Sequence, residues 1–218
     1  MTPIEHLRST IEKDIFDYTQ LMFGLSDYKK PRDVVTRLFI DGKIIRIRKG
    51  LYCFGVLWRK APVSMETLAN IVYGPSALSL DYALSHYGLI PEQVTTLTSV
   101  TPGRSRVYNT PVGRFSFIHL PLQFYAFGLT SENNNSQQLL IMKPIKVLAD
   151  KVWTDKRFQP RSTADFASYL FHDLRIDELQ LLSFIDEDNL TEIEQNFTTR
   201  KIKWLVEFLS GFKSQNHE

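Results

Sequence analysis

Basic side chains are concentrated in one stretch of this sequence, and closely spaced cations can bind phosphate groups. Residues 28–60 hold ten Lys or Arg against two Asp, a net charge of +8, whereas the whole chain of 218 residues carries only +2. The excess of positive charge is therefore local, which is typical of a surface that binds nucleic acid. The alternative is a solvated basic face that binds an acidic protein.

A helix is predicted to begin at Pro31. The backbone amide at the first helical position makes no hydrogen bond within the helix, so proline, which lacks an N–H, is tolerated there. Four apolar residues follow at spacings that place them on one face of this helix: Val34, Val35, Leu38 and Phe39. The opposite side and the residues just before the helix carry the first half of the predicted DNA-binding set: Tyr28, Lys29, Lys30, Arg32 and Arg37. Tyr28 is expected to orient the helix or to donate a hydrogen bond to a phosphate.

A β-hairpin is predicted directly after this helix. The β-branched run 44–47 leads to a turn at 48–50, and residues 51–54 form the returning strand. The hairpin carries the second half of the predicted set: Arg46, Arg48 and Lys49. A helix followed by a basic hairpin is the order of a winged helix-turn-helix, in which the helix enters the major groove of DNA and the hairpin contacts the flanking backbone or minor groove.

Acidic and thiol side chains give weaker signals of chemistry. Asp186 and Asp188 have the spacing of a metal-binding pair, but helix capping and solvation explain them within an acidic helical stretch. Cys53 lies in the predicted returning strand and is expected to be a packed structural thiol. No phosphate-binding loop, nucleophile motif or His spacing typical of metal sites occurs. The sequence therefore predicts no enzymatic activity, no cofactor and no metal site.

The composition predicts a folded, soluble, cytoplasmic protein. Hydrophobic residues make up 43% of the chain and aromatic residues 12%, which is enough to build a core. The N-terminus has no secretion signal, no apolar run approaches the roughly 18 residues that span a bilayer, and the single cysteine excludes an internal disulfide. We expect no association with membranes.

The predicted fold class is α+β. Residues 1–60 are assigned to an N-terminal winged helix-turn-helix, and residues 61–218 to a mixed α/β domain with a small sheet and a helical C-terminus. Residues 2–24 are predicted to be helical, with a break near Asp14. Ser79 is predicted to cap a helix, and residues 131–138 are predicted to form a polar loop.

Five stretches of the chain resemble, in order, the sequence of one protein family. The wing GKIIRIRKGLYCF resembles its G-x-L-x-R-x-x-R-G-x-Y segment, and IMKPIKVLADKVW resembles its A-T-P-E-K-A-L-x-D helix. The family is that of the AbiEi-type antitoxins and transcriptional regulators of bacterial abortive-infection (type IV toxin–antitoxin) systems. The five stretches are Gly42–Phe54, Ser76–Val94, Thr98–Leu120, Ile141–Trp153 and Phe184–Leu209. The chain departs from the family at Ile145, where the family often has Glu.

The resemblance implies an autorepressor and antitoxin that acts in phage defence. Its N-terminal domain would bind double-stranded DNA of its own promoter at inverted repeats. Its C-terminal domain would neutralise a nucleotidyltransferase toxin, with or without a stable complex. Charge placement alone suggests six residues for the antitoxin surface: Arg104, Arg106, Arg114, Arg200, Lys201 and Lys203.

Two other functions follow from different interpretations of the same residues. A protein-interaction module would use the basic surface for an acidic partner and would not bind specific DNA. A nucleotidyltransferase would need a Gly-Ser turn before its acidic pair, and the chain contains no Gly-Ser dipeptide. The six residues suggested for the antitoxin surface also have a simpler explanation, as solvated faces of a sheet and a helix.

Overall fold

The computed structural model describes residues 1–134 and 137–216 and has a mixed α+β architecture. The N-terminal elements are α1 (Pro3–Thr10), β1 (Ile15–Asp17), α2 (Tyr18–Phe23), α3 (Pro31–Ile40), β2 (Ile44–Arg48) and β3 (Leu51–Phe54). The three strands form an antiparallel sheet in the order β1-β3-β2. The hairpin predicted from the β-branched run is thereby confirmed.

The rest of the chain builds a second, larger sheet and covers it with helices. Its strands and the first helices are α4 (Met65–Val72), β4 (Ala77–Leu78), α5 (Leu80–His86), β5 (Leu97–Thr101), β6 (Arg106–Thr110), β7 (Gly113–His119), α6 (Leu122–Tyr125), β8 (Leu129–Asn134) and β9 (Gln137–Met142). The C-terminal elements are α7 (Pro144–Thr154), α8 (Asp165–Ser168), a π-helical turn (Tyr169–Asp173), α9 (Glu178–Phe184), α10 (Glu187–Asn196) and α11 (Arg200–Gln215).

The six strands of the second sheet lie in the order β6-β7-β5-β4-β9-β8. The pairs β4–β9 and β5–β7 are parallel, and the other pairs are antiparallel. In the described part of the chain, no helix is both long enough and apolar enough to cross a bilayer.

The N-terminal segment departs from the predicted helical stretch. Thr2 caps α1 as one half of a capping box with Glu5, and the expected break falls near Asp14. After the break the chain forms β1 instead of continuing as helix, because pairing with β3 buries Phe16, whose ring centroid lies 4.8 Å from that of Phe54. The prediction that residues 15–17 are helical was wrong.

The polar residues after 130 also depart from prediction. Residues 131–134 belong to β8 and residues 137–138 to β9, so the predicted loop was wrong for these positions. Asn135 and Ser136 lie outside the described residues. Strand pairing satisfies the hydrogen bonds of the backbone whatever the side chains are. Polar residues can therefore form an edge strand without the alternating hydrophobic pattern by which a strand is predicted.

Strand β3 is buried on both faces and belongs to two hydrophobic clusters. Tyr52 and Phe54 pack with α1, α2 and α3, which together with the three-stranded sheet are called the N-terminal unit. Leu51 and Cys53 point the other way, into the large cluster built around the second sheet. Alternate side chains of a strand point to opposite faces, so one strand can join two cores. The expectation that Cys53 is a packed thiol is confirmed, and burial raises its pKa.

An ion pair fixes the point where the chain leaves this hairpin. Arg8 on α1 contacts the carboxylate of Asp14 at 2.6 Å, and its guanidinium carbon lies 4.2 Å from the centroid of the Phe54 ring. The same carboxylate accepts hydrogen bonds from the backbone amides of Lys60 and Ala61 at 3.0 and 3.1 Å. One carboxylate therefore holds α1, β1 and residues 60–61 together.

A second ion pair is buried in the larger unit, which comprises the six-stranded sheet and the helices that cover it. Lys146 and Asp150, one turn apart on α7, form a salt bridge with almost no solvent exposure. Burial lowers the pKa of Lys146. Ser79 occupies the cap position of α5, as predicted, but its hydroxyl donates to Asp150 at 2.9 Å instead of capping the helix. This hydrogen bond satisfies one of the acceptor positions of the Asp150 carboxylate that Lys146 leaves open, and buried ion pairs are stable only when such positions are filled.

We predict that the Asp14→Asn substitution destabilises the protein at neutral pH but not in acid. Burial alone would raise the pKa of Asp14, but the amides of Lys60 and Ala61 and the guanidinium of Arg8 outweigh burial and hold its pKa below the ordinary value. An ionised Asp14 therefore stabilises the fold above the unfolded-state pKa of about 3.9, and this stabilisation is lost as pH falls through the lower, folded-state pKa.

Urea unfolding at several pH values would measure this effect. We expect Asp14→Asn to lower the free energy of unfolding by about 1–3 kcal/mol at pH 7. The gap to the native protein should narrow as the pH falls below the unfolded-state pKa of about 3.9. Asp41→Asn is the control, because Asp41 pairs with Lys43 at the surface, where such pairs contribute under about 1 kcal/mol. Equal stability of the Asp14 variant and the native protein at pH 7 would contradict the proposed role of Asp14.

Candidate nucleic-acid interface

Helix α3 begins at Pro31, as predicted, and presents a basic outer side. Lys30 is its cap residue and makes no side-chain hydrogen bond to the helix. Leu38 is buried, and the other three predicted apolar residues are partly buried in the N-terminal cluster. The side chains of Lys29, Lys30, Arg32 and Arg37 are exposed. The predicted division of this helix into an apolar and a basic side is therefore confirmed.

The hairpin presents its basic residues near its tip. Gly50 has a φ of +84°, a left-handed conformation that suits glycine, and it closes the turn after Lys49. Arg46 and Lys49 are exposed, whereas Arg48 is partly buried. The strand pairing shifts between Arg46 and Arg48, so a bulge separates the two arginines. Bulges of this kind change the direction in which a side chain points.

Helix α3 and the hairpin meet at an aromatic contact. The Phe39 ring lies 5.8 Å from the Tyr52 ring, centroid to centroid. Arg46 is directly opposite Tyr52 in the sheet and so lies on the same face. Arg32 and Arg37 are exposed on the same helix as Phe39. Helix α3 and the strand pair that carries Arg46 therefore meet at this contact.

These cations are not neutralised by neighbours. Among residues 1–134 and 137–216, no carboxylate lies within 4.0 Å of the charged atoms of six of the predicted residues: Lys29, Lys30, Arg32, Arg37, Arg46 and Lys49. Residues 42–65 contain six Lys or Arg and no Asp or Glu. The surface can therefore attract a polyanion without first breaking internal ion pairs.

Arg48 has a structural contact that its sequence position does not reveal. Its Nε donates to the carbonyl oxygen of Val72 at 2.6 Å, and its Nη1 donates to that of Lys49 at 2.9 Å. Val72 is the last residue of α4, so Arg48 ties the hairpin tip to the C-terminal end of that helix. A cation is favourable there because the C-terminus of a helix carries partial negative charge.

Tyr28 packs against α1. Its ring lies edge-on to the His6 imidazole, with 6.3 Å between the ring centroids, and its side chain is partly buried. Its backbone amide donates to the carbonyl oxygen of Leu25. The contact places Tyr28 where it can fix the start of α3 against α1.

The three sheet arginines predicted for the antitoxin surface lie in or just before β6 and β7, the edge strand and its neighbour in the second sheet. Arg114 alternates with buried residues of β7, as expected for a solvated outer face. Arg106 is paired with Phe117 in register, and its guanidinium carbon lies 5.7 Å from the ring centroid of Tyr73. Arg104 is exposed in the turn before β6.

The three basic residues at the start of α11 have different environments. Lys201 donates to the carbonyl oxygen of Asp155 at 2.7 Å, and Asp155 is the C-terminal cap residue of α7. Burial lowers the pKa of Lys201. The guanidinium of Arg200 lies over the Trp204 ring, and Lys203 is exposed. No hydrogen bond or ion pair joins these residues to the sheet arginines within the described residues, so the six form two separate groups.

The acidic residues whose spacing suggested a metal-binding pair have a structural role. The carboxylate of Asp186 caps α10 by accepting a hydrogen bond from the amide of Asn189, as the acidic helical stretch predicted. In residues 1–134 and 137–216, no group of three or more metal-ligating side chains comes together. Sequence reasoning missed Arg8, whose spacing gives no sign of its contacts with Asp14 and Phe54.

No protein-family model matches this chain, and no curated protein is significantly similar to it in sequence.

We predict that Arg48 stabilises the fold whereas its neighbour Lys49 does not. Arg48→Ala removes a charged donor from two carbonyl oxygens, and it should lower the free energy of unfolding by about 1–3 kcal/mol. Lys49→Ala is the matched control and should stay within about 0.5 kcal/mol of the native protein. Urea denaturation followed by circular dichroism measures both, and equal stability of the two variants would show that the contact of Arg48 with α4 contributes nothing.

Proposed function

We propose that this chain is a DNA-binding transcriptional autorepressor whose N-terminal unit is a winged helix-turn-helix. The order α1-β1-α2-α3-β2-β3 is that of winged-helix domains, with α3 in the position of the recognition helix. The observation that carries the proposal is the set of exposed, unneutralised cations on both α3 and the hairpin, two elements that the contact between Phe39 and Tyr52 joins.

The roles of the basic residues follow from their positions. Residues on α3 would reach base edges and phosphates in the major groove, and Arg46 and Lys49 would contact the flanking backbone from the hairpin. Arg48 would hold the hairpin tip in place through Val72 and contribute charge near the backbone. An acidic protein is the alternative partner for the same surface.

Fluorescence anisotropy with DNA from directly upstream of the gene for this protein would test the proposal. A scrambled duplex of equal length is the DNA control, and both are titrated at several salt concentrations. We expect selective binding with a steep salt dependence. Lys30→Ala should weaken binding to both duplexes and lower the salt slope by about one. Lys156→Ala, an exposed lysine in the loop after α7, should leave the slope unchanged.

Two results would contradict the proposal. The first is equal, weak binding to both duplexes at low salt. The second is a salt slope that Lys30→Ala leaves unchanged. If neither duplex binds and a protein partner co-purifies with the chain, the basic surface belongs to a protein-interaction module.

We propose in addition that the chain counteracts a nucleotidyltransferase toxin in a phage-defence system. This part rests on the resemblance of five stretches of sequence to the AbiEi-type antitoxins. Lys203 and Arg200 are the residues of the suggested surface on α11 that remain for a partner, since Lys201 is engaged with the C-terminal end of α7.

Growth of cells that express the neighbouring nucleotidyltransferase gene, with and without this chain, would test the antitoxin proposal. We expect the native chain to restore growth and Lys203→Glu to reduce the protection, because reversal of an exposed charge would repel the partner. Lys156→Glu is the control and should protect fully. Full protection by Lys203→Glu would exclude the α11 surface, and absence of protection by the native chain would exclude the antitoxin function.

A further inference from the structure

We infer that the nucleic-acid surface continues from the hairpin onto the edge of the six-stranded sheet, where Arg104 and Arg106 contact the sugar–phosphate backbone of the same duplex. The inference rests on the proposed DNA-binding function and extends its surface into the second unit. It moves two of the six residues suggested for the antitoxin surface into the DNA interface.

Two sheet edges face each other at this place. Strand β2 is an edge strand of the small sheet, and β6 is an edge strand of the large one. Residues of the two strands approach within 8 Å, measured between Cα atoms. Ile45 and Ile47 of β2 pack into the hydrophobic cluster of the large sheet. The hairpin is therefore held at a fixed position beside β6.

Two arginines converge on the end of α4 from the two sheets. Arg48 donates to the carbonyl oxygen of Val72, and Arg106 lies over the ring of the next residue, Tyr73. The Tyr73 ring is itself fixed, with its centroid 5.3 Å from that of Phe117 and 6.1 Å from that of Tyr108. The hairpin tip and the start of β6 are thus neighbours across one short segment of chain.

The charges around this place are mainly positive, and the one acid of α4, Glu66, lies in its first turn and accepts hydrogen bonds from the hydroxyls of Ser64 and Tyr82. Residues 42–65 carry six Lys or Arg without an acid, and residues 93–131 carry three arginines without an acid. The segment between α4 and α5 adds no charge, because residues 67–80 contain neither acids nor bases. Arg104 and Arg106 are exposed, and within the described residues neither lies within ion-pair distance of a carboxylate.

This combination fits a phosphate backbone better than it fits base edges. Arg106 has its side chain laid over an aromatic ring at the rim of a sheet, and a long cation in this position keeps its charged end in solvent. A duplex that reaches the hairpin tip would lie beside the end of α4, where Arg106 is placed, with Arg104 two residues before it in the chain. Phosphate contacts of this kind add affinity but carry no sequence information.

Arg114 provides a matched control within the same sheet. It is exposed on β7, next to β6, but it follows Gly113, which lies against Met65 at the other end of α4. An eight-residue helix is about 12 Å long, so Arg114 is separated from the hairpin tip by the length of α4. The inference therefore assigns DNA contact to Arg104 and Arg106 and not to Arg114.

The test is anisotropy binding of the double variant Arg104→Ala/Arg106→Ala, with Arg114→Ala as control, to the upstream and scrambled duplexes over a range of salt. Loss of two phosphate contacts should lower the salt slope by about 1.8 and weaken binding on the order of tenfold to sixtyfold at about 0.1 M salt. Both duplexes should be affected equally, so the selectivity ratio stays constant. Arg106→Lys should recover part of the slope because it retains the charge.

Two further measurements separate the possible failures. Thermal unfolding checks that the variants are folded, and Arg104→Ala alone, which removes one exposed side chain, should still lower the slope by about 0.9. If Lys30→Ala weakens binding but the double variant does not, or if Arg114→Ala weakens binding as much as the double variant, the inference is wrong and the proposed function stands. If the native chain binds neither duplex, the proposed function itself fails.

Discussion

The structure depends on a single four-residue strand that packs on both of its faces. Tyr52 and Phe54 complete the core of the N-terminal unit, while Leu51 and Cys53 complete the core of the larger unit. Complete burial of a large apolar side chain contributes about 1.5–3 kcal/mol, so each face of β3 stabilises a different core. The hairpin that carries Arg46 and Lys49 is therefore positioned by both units. A hairpin fixed in this way can present its cations at a constant angle to α3.

Charged residues in this chain divide into those that hold elements together and those that remain free. Arg8 with Asp14, Arg48 with the end of α4, and Lys201 with the end of α7 all bridge elements distant in sequence. The cations on the outer side of α3 have no such contacts among the described residues. The contacts in the structure therefore show which basic residues are available to a partner and which are already engaged. Composition and net charge do not make this distinction.

The local features of the fold could be predicted from the sequence because local residues determine them. Pro31 and the apolar spacing after it predicted α3, and the β-branched run and Gly50 predicted the hairpin. The burial of Cys53 was predicted from its place in a strand. The helix break near Asp14 was also visible. Strand β1 was not, because three residues carry too little pattern and their conformation is set by pairing with β3.

The long-range contacts could not be predicted. Nothing near Arg48 indicates a hydrogen bond to Val72, and nothing near Lys201 indicates a contact with the last turn of α7, because both partners come from distant parts of the chain. The assignment of six residues to one antitoxin surface remains a prediction, and charge in the sequence does not show that Lys201 is already engaged with the carbonyl oxygen of Asp155. The boundary proposed after residue 60 remains a prediction, although the hydrophobic clusters extend across it.

The double-sided packing of β3 also limits how this protein can change over evolutionary time. A module that buries only its own core can be exchanged between proteins as a cassette, because its surface does not need to match a specific neighbour. The N-terminal unit here includes side chains shaped for the second unit, at Leu51 and Cys53 and at Ile47 of β2. Transplanted alone, it would expose these apolar residues to water. Under the proposed DNA-binding function, changes in recognition are therefore expected to arise by substitution on the outer side of α3, with the two units inherited as one piece.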